Sequence, residues 1–250
     1  MWRRLPRGVQ ALIEVGILFL PGIPAYIWLW PNVDNTDWFV PVQVLVYLYF
    51  LAGCLVIGRR RWNWDQLGLN RQGLGLSLIC GAVLIAGRIL IMLSVTWPVA
   101  PAPITVGKLI GDIVFYIGLV GFIEELLFRG VIYRACDEWR GARWAIWGSA
   151  LMFGVYHVGW QGVAAAGTVL FGVIFAVIRW RAGGIVGLIV VHGLMDVIAS
   201  LTLPGLEMQQ LRQITLSFPL MLVIGYALIL FVPIYLWKIY HTHISVGRLI

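Results

Sequence analysis

Long apolar stretches alternate with short polar segments along the whole sequence. A helix that crosses a bilayer needs about 20 mainly apolar residues, because it rises about 1.5 Å per residue through a hydrocarbon layer of about 30 Å. By that criterion the pattern predicts about eight membrane helices. They cover, to within a few residues, 9–30, 40–58, 73–97, 108–134, 144–158, 162–179, 183–203 and 216–237, of which the fifth and sixth are short.

The composition agrees with this pattern. The 250 residues are 61% hydrophobic and 12% charged, and the mean hydropathy is +0.91. A soluble domain carries about 25% charged residues, so this chain has too few to build a water-exposed surface. The sequence therefore predicts an integral membrane protein whose fold class is all-α, a polytopic membrane helix bundle.

The basic residues indicate the orientation of the chain. The net charge is +7, and the cytoplasmic loops of membrane proteins carry an excess of Lys and Arg. If the amino terminus lies in the cytoplasm, segments such as Arg59–Arg61 fall on the cytoplasmic side, and only Lys108 and Arg212 fall outside. We expect both termini in the cytoplasm and a multi-pass location in the plasma (inner) membrane. The positive charge then serves orientation and contact with anionic membrane lipids, and no nucleic acid is expected as a partner.

Three ionisable residues, Glu124, Glu125 and Arg129, interrupt the apolar run of the fourth predicted span. Each charge at the centre of a membrane helix costs about 2.5–3.5 kcal/mol, so such residues are by default a candidate site. With about 100° between successive helical side chains, Glu125 and Arg129 share a face and can pair, whereas Glu124 faces elsewhere. The plainer alternative, that these charges only hold helices together, stays open. Two further charges near the outer ends of the third and fourth spans, Arg88 and Asp112, can pair across helices.

Two further spans carry histidine. The fifth contains Phe153 and His157, and the seventh contains His192 and Asp196, each pair four residues apart and therefore on one helical face. Counted from the inner end of each span at about 1.5 Å per residue, Glu124, both histidines and Asp196 lie at depths of about 14–20 Å, in one layer. The sequence therefore predicts an intramembrane polar site. A lone membrane histidine is more often a helix-packing group, and that alternative also stays open.

These segments, in chain order, resemble the EExxxR, FxxxH and HxxxN/D motifs of the CAAX-protease and bacteriocin-processing (CPBP) family. That family comprises intramembrane glutamic proteases and includes the Ras-converting CAAX endopeptidase (CAAX prenyl protease 2). The resemblance covers Glu124 to Asp196, with a weaker similarity at Leu67-Gly68-Leu69 in the predicted inner loop. It implies an intramembrane endopeptidase that hydrolyses a peptide bond in a membrane-associated protein or peptide.

The resemblance also implies a role for each motif residue. Glu124 matches the general base that activates a water molecule, and His157 matches the histidine that shares in this activation. His192 and Asp196 match the pair that contacts the developing oxyanion. Relatives often have Asn where this chain has Asp196, and an ionised Asp would repel an oxyanion. Asp196 could take part in the reaction if it is protonated, if it orients His192, or if a water molecule lies between it and the oxyanion.

The remaining motif residues, Glu125, Arg129 and Phe153, match supporting residues of the family. The implied mechanism is metal-independent and uses no cofactor. Zinc is the alternative, because Glu, His and Asp are all competent zinc ligands, although the HExxH zinc motif does not occur in the sequence.

By these motifs the chain divides into N-terminal helices with an inner loop (1–107), a catalytic core (108–203), and a last helix with a cytoplasmic tail (204–250). The alternative function is a non-catalytic membrane module, such as a proton-coupled carrier or a bacteriocin-immunity or scaffold protein. The sequence leaves open which substrate is cleaved, whether it is prenylated, and the oligomeric state.

Overall fold

The computed structural model describes residues 5–21, 37–96, 103–161, 165–202 and 215–246, and the side chains of all of these but 159–161 and 239–246. Helices account for most of these residues, and the only strands among them are two short ones that pair antiparallel. The predicted all-α fold class is confirmed. The elements are α1 (Arg7–Phe19), α2 (Phe39–Arg59), α3 (Leu74–Leu93), β1 (Val95–Thr96), α4 (Val106–Arg140), α5 (Ala142–Gln161), α6 (Ala165–Ala182), α7 (Val186–Thr202), β2 (Thr215–Leu216) and α8 (Pro219–Val246).

Every predicted span overlaps one of these helices. By length and composition, α2, α3, α4, α6 and α8 are able to cross a membrane, and α7 is a shorter apolar helix. The chain is therefore a polytopic membrane helix bundle. The part of the first predicted span beyond residue 21, and Arg212, lie outside the described residues.

The fourth helix changes its winding along its length. Its turns widen to π-helical geometry over Ile113–Gly121 and again over Leu126–Ile132, and Phe122–Glu125 between them is α-helical. π-helical turns inside α-helices are frequent at functional sites. The two candidate glutamates, Glu124 and Glu125, end this short α-helical turn.

Contacts within the chain group it into two compact units, each built from two separate stretches. The first unit comprises Met1–Leu74 with Phe122–Val186, and the second comprises Gly75–Gly121 with Gly187–Ile250. The division at 107/108 and 203/204, which follows the motifs, stays a prediction.

In the first unit, helices approach closely at glycine. A Cβ atom on Gly172 of α6 would lie 3.0 Å from the Cα atom of Ala150 on α5. A Cβ atom on Gly8 of α1 would overlap the Ala135 carbonyl near the end of α4. Both contacts bring one backbone against another, so only glycine allows these helices to pack at this distance.

The loop between α2 and α3 is fastened to the first unit by Arg179. Its guanidinium donates to the carbonyl oxygens of Gln66 and Arg129, both at 3.3 Å. Gly68 has a φ angle of +84°, and a Cβ atom there would lie 2.7 Å from the Arg179 Cζ atom. The Gly68 carbonyl also accepts a hydrogen bond from the Ile185 amide at 2.7 Å. The Leu-Gly-Leu segment in this loop thus needs glycine at its centre for both conformation and space.

In the second unit, the first half of α4 packs against α7. A Cβ atom on Gly193 would lie 2.5 Å from the Ile117 Cα atom and 2.7 Å from the Tyr116 carbonyl oxygen. On the facing helix, a Cβ atom on Gly121 would lie 2.8 Å from the Ile189 carbonyl oxygen. Two glycines, one from each helix, therefore set how closely α4 and α7 approach.

The expected pair between Arg88 and Asp112 is absent from the described residues. Asp112 instead accepts hydrogen bonds from Lys108 Nζ at 2.5 Å and from Ser200 Oγ at 2.9 Å. Lys108 lies one turn before Asp112 on α4, so the local i,i+4 pair forms in preference to a pair across helices. Arg88 interacts electrostatically with Asp196 instead.

Candidate active site

Glu124 lies at the end of the short α-helical turn of α4, with 3% of its surface exposed. The Tyr47 hydroxyl on α2 donates a hydrogen bond of 2.9 Å to Glu124 Oε1. Tyr47 also interacts with the Tyr156 hydroxyl on α5. The Tyr47 hydroxyl thus orients the carboxylate.

His157 on α5 faces the other carboxylate oxygen. Its Nε2 atom is 3.8 Å from Glu124 Oε2, and its Nδ1 atom is 2.8 Å from the Phe153 carbonyl oxygen. A carbonyl oxygen can only accept, so Nδ1 must carry a hydrogen and donate it. In the neutral ring, Nε2 then presents a lone pair toward Glu124. The predicted proximity of Glu124 and His157 is present in the first unit.

Glu125 and Arg129 form a fully buried ion pair, as their spacing predicts. Glu125 Oε1 is 2.9 Å from Arg129 Nη1, and both side chains are 0% exposed. The guanidinium also donates to the Gly172 carbonyl oxygen at 3.4 Å. It lies over two aromatic rings, with Cζ 4.3 Å from the centroid of Phe153 and 5.3 Å from that of Phe175. Ion pair, hydrogen bond and aromatic faces together offset the cost of burying these charges.

Aromatic side chains surround this acidic cluster. The rings of Phe128 and Phe153 are 5.0 Å apart, and those of Phe128 and Tyr156 are 5.6 Å apart. The imidazole of His157 lies 4.5 Å from the Phe153 ring. Such walls exclude water and lower the local dielectric constant, so the charged groups inside interact strongly.

The second predicted pair lies on α7 in the second unit. His192 Nε2 is 3.5 Å from Asp196 Oδ2, and His192 is buried. The two residues are four apart, and the helix brings them to one face as the spacing predicts. The common membrane depth stays a prediction for these four residues: Glu124, His157, His192 and Asp196.

Within 5–21, 37–96, 103–161, 165–202 and 215–246, no three His, Cys, Asp or Glu side chains come close enough together to hold a metal ion.

Sequence reasoning missed Tyr47, Tyr156 and Arg179. Tyr47 is one aromatic residue in an apolar helix, and no spacing relates it to the motifs. Tyr156 immediately precedes His157, and its polar hydroxyl in a membrane span was a usable signal. Arg179 is one more basic residue of a predicted inner loop by the positive-inside rule, and nothing in the sequence indicates that it is buried, with only 8% of its surface exposed.

Residues 106–198 match the family model described as Type II CAAX prenyl endopeptidase Rce1-like. The chain carries an Rce1-like domain. This domain contains all three motifs, so the predicted resemblance to the CPBP intramembrane proteases is confirmed over these residues. An Rce1-like domain in a membrane helix bundle indicates a membrane-embedded protease, a hydrolase whose substrates would be membrane-associated peptides. No significant match occurs among curated proteins or among solved structures.

Proposed function

We propose that this Rce1-like protein is a metal-independent glutamic endopeptidase in which Glu124 activates a water molecule. The family supplies the general reaction, cleavage of a peptide bond in a membrane-associated substrate. The proposal concerns the chemistry: which side chain is the base, which one stabilises the negative charge, and that no metal takes part.

The observation that carries this proposal is the facing pair of hydrogen-bond acceptors at Glu124 and His157. Nε2 of the neutral imidazole and Oε2 of the carboxylate are both acceptors, and 3.8 Å separates them. That distance is too long for a direct hydrogen bond. A water molecule between them would donate one hydrogen to each acceptor, which leaves its oxygen lone pairs available for attack.

In the proposed reaction the water oxygen attacks the carbonyl carbon of the substrate while Glu124 takes up a water proton. The tetrahedral intermediate then collapses, the C–N bond breaks, and Glu124 gives its proton to the leaving nitrogen. Tyr47 holds the carboxylate in place throughout, because its hydroxyl donates to the oxygen that does not face His157.

His192 is the proposed donor to the oxyanion, and Asp196 is proposed to orient its ring. A preorganised donor stabilises charge most strongly where that charge develops in a desolvated site. The match to the third motif and the 3.5 Å contact between the two side chains support these roles. Glu125, Arg129 and Phe153 are proposed to hold the helical segment that carries Glu124.

The test is the turnover of a membrane-anchored reporter peptide by purified protein in lipid nanodiscs. Glu124→Gln keeps the shape of the side chain but cannot accept the water proton, so we expect kcat to fall by about 10²–10⁴-fold. Glu138→Gln is the matched control, because Glu138 pairs with Arg134 and Trp62 on a surface outside the site and the chemical change is the same. Turnover by Glu124→Gln close to that of the control would refute the mechanism.

Two further experiments test whether the activity depends on a metal and which class of substrate is cleaved. Treatment with a strong zinc chelator should leave kcat unchanged, and loss of activity that zinc alone restores would favour the metal alternative. Reporter peptides with and without a prenylated carboxyl-terminal cysteine then establish which class of membrane-associated peptide is cleaved.

A further inference from the structure

Asp196 presents a charge problem within the proposed site. A carboxylate close to a developing oxyanion would repel it, yet Asp196 lies 3.5 Å from the histidine assigned to stabilise that charge. A neutral amide at this position would avoid the conflict. The second unit therefore needs a cation near Asp196 if the carboxylate is ionised there.

Helix α3 runs beside α7 and brings such a cation near. A Cβ atom on Gly81 of α3 would lie 2.9 Å from Val191 Cγ1 on α7. Eleven residues further along each helix, the Thr202 hydroxyl contacts Met92 Sδ at 3.6 Å. Arg88 on α3 lies between these two contacts along the helix.

Arg88 also lies on the side of α3 that faces α7. It is seven residues from Gly81 and four from Met92, and at about 100° per residue these three positions share one helix face. The Arg88 Nε atom is buried and has no hydrogen-bond partner within the described part of the chain. The carboxylate with which Arg88 interacts electrostatically is Asp196.

The other charged groups near this position already have local partners. Asp112 on α4 accepts hydrogen bonds from Lys108 and Ser200. Tyr116 interacts with Ser200 as well. Lys108 thus already has partners at the end of the helix pair, and among the residues that the structure describes Arg88 is the cation with an electrostatic interaction with Asp196.

We propose that Arg88 is a positioning residue that neutralises Asp196. An ionised Asp196 can then take the role that a neutral Asn often has at this position in relatives. This inference rests on the proposed function and names a residue outside the three motifs. The carboxylate then orients the His192 ring without presenting net negative charge to the oxyanion. Arg88 acts through Asp196 and touches neither substrate nor the reacting atoms.

The test is a double-mutant cycle between Arg88→Met and Asp196→Asn, read by kcat and by the midpoint of thermal unfolding in nanodiscs. Arg88→Met alone should lower kcat by about 10-fold or more, with little change in KM, because it removes the positive charge of Arg88 that acts on Asp196. In the Asp196→Asn background the same change should lower kcat less than about twofold, because no charge remains to be neutralised. Arg88→Lys, which keeps the charge, should retain most of the activity.

A purely structural role for Arg88 predicts a different result, namely equal losses in both backgrounds and no rescue by Arg88→Lys. That result would overturn the inference. The unfolding midpoint separates this failure from failure of the protease mechanism, since it needs no turnover. Arg88→Met should lower the unfolding midpoint by several degrees with Asp196 present and by less in the Asp196→Asn background. Equal shifts in the two backgrounds would overturn the pairing of Arg88 with Asp196, even if the Asp196→Asn protein has no activity.

Discussion

Two adjacent carboxylates, Glu124 and Glu125, lie in different surroundings although one turn of helix carries both. Glu125 is fixed by the guanidinium of Arg129 at 2.9 Å and is fully buried. Glu124 receives a tyrosine hydroxyl on one oxygen and faces an imidazole on the other. A carboxylate in an ion pair stays ionised, whereas a carboxylate that faces a neutral hydroxyl donor and a nitrogen lone pair can take up and release a proton. The surroundings therefore favour Glu124 as the reactive group.

Removal of the Tyr47 hydroxyl tests how far this reactivity depends on orientation. Tyr47→Phe keeps the ring but loses the hydrogen bond to Glu124 Oε1, and a hydrogen bond to a charged group is worth about 1.5–3 kcal/mol. We expect kcat/KM on the reporter peptide to fall by about 10-fold or more. The unfolding midpoint should fall by a few degrees as well, because a buried carboxylate loses its donor.

Tyr49→Phe is the matched control for this experiment. Its hydroxyl also lies on α2 and donates a bond of 2.9 Å, but to the Leu18 carbonyl oxygen. This change should leave kcat/KM within about twofold of the parent. If the two variants have the same activity, Tyr47 does not orient the catalytic carboxylate.

At the scale of the helices, small residues decide which segments lie together. In the second unit Gly121 and Gly193 allow α4 and α7 to approach to backbone contact, and α7 carries His192 and Asp196. Membrane helices lack a hydrophobic driving force toward each other, so close packing through small residues supplies much of their association. The position of the His192–Asp196 pair thus depends on a glycine one residue away.

We therefore expect Gly193→Ala to destabilise the protein. The added Cβ atom would lie 2.5 Å from the Ile117 Cα atom, so the helices must separate. Overpacking of this kind costs about 1–3 kcal/mol, which lowers the unfolding midpoint by a few degrees. Gly118→Ala makes the same chemical change on α4, where nothing lies within 4 Å of the new atom. Equal midpoints for the two variants would contradict the role of Gly193 in packing.

The sequence predicted those features of the site that depend on position along one helix. The pairs Glu125–Arg129 and His192–Asp196 follow from i,i+4 spacing, which holds in any helix regardless of its neighbours. The bond from Tyr47 to Glu124 joins residues 77 apart, and only the packing of α2 on α4 creates it.

The widened turns of α4 were likewise beyond prediction. The run from Ile113 to Ile132 is apolar apart from the charged cluster, and it contains no proline. Hydrophobic periodicity indicates that such a run is helical, but it does not distinguish α-helical from π-helical turns. Close backbone contacts, such as that of Gly121 with α7, likewise have no signature in the sequence alone.

For the whole molecule, the orientation in the membrane decides from which side a substrate reaches the site. The loop that joins α2 and α3 is rich in Arg and is fastened by Arg179, whereas residues 94–105 before α4 contain neither Lys nor Arg, and Lys108 follows near the start of α4. The positive-inside rule predicts that the first of these segments lies in the cytoplasm and the second outside. Because α3 is the one span-forming helix that the structure describes between them, the two segments must lie on opposite sides if α3 crosses the membrane.

Single-cysteine labelling checks this orientation directly. The native Cys54, Cys80 and Cys136 are all buried, and a variant with these three changed to Ala provides the background. Asp65→Cys and Pro103→Cys then place a thiol at exposed positions before and after α3. A membrane-impermeant maleimide should label Asp65→Cys only in inside-out vesicles and Pro103→Cys only in right-side-out vesicles, while both react after detergent is added. If both thiols are labelled from the same side, α3 does not cross the membrane. If each is labelled from the side opposite to that expected, the termini lie outside and the site opens toward the other face.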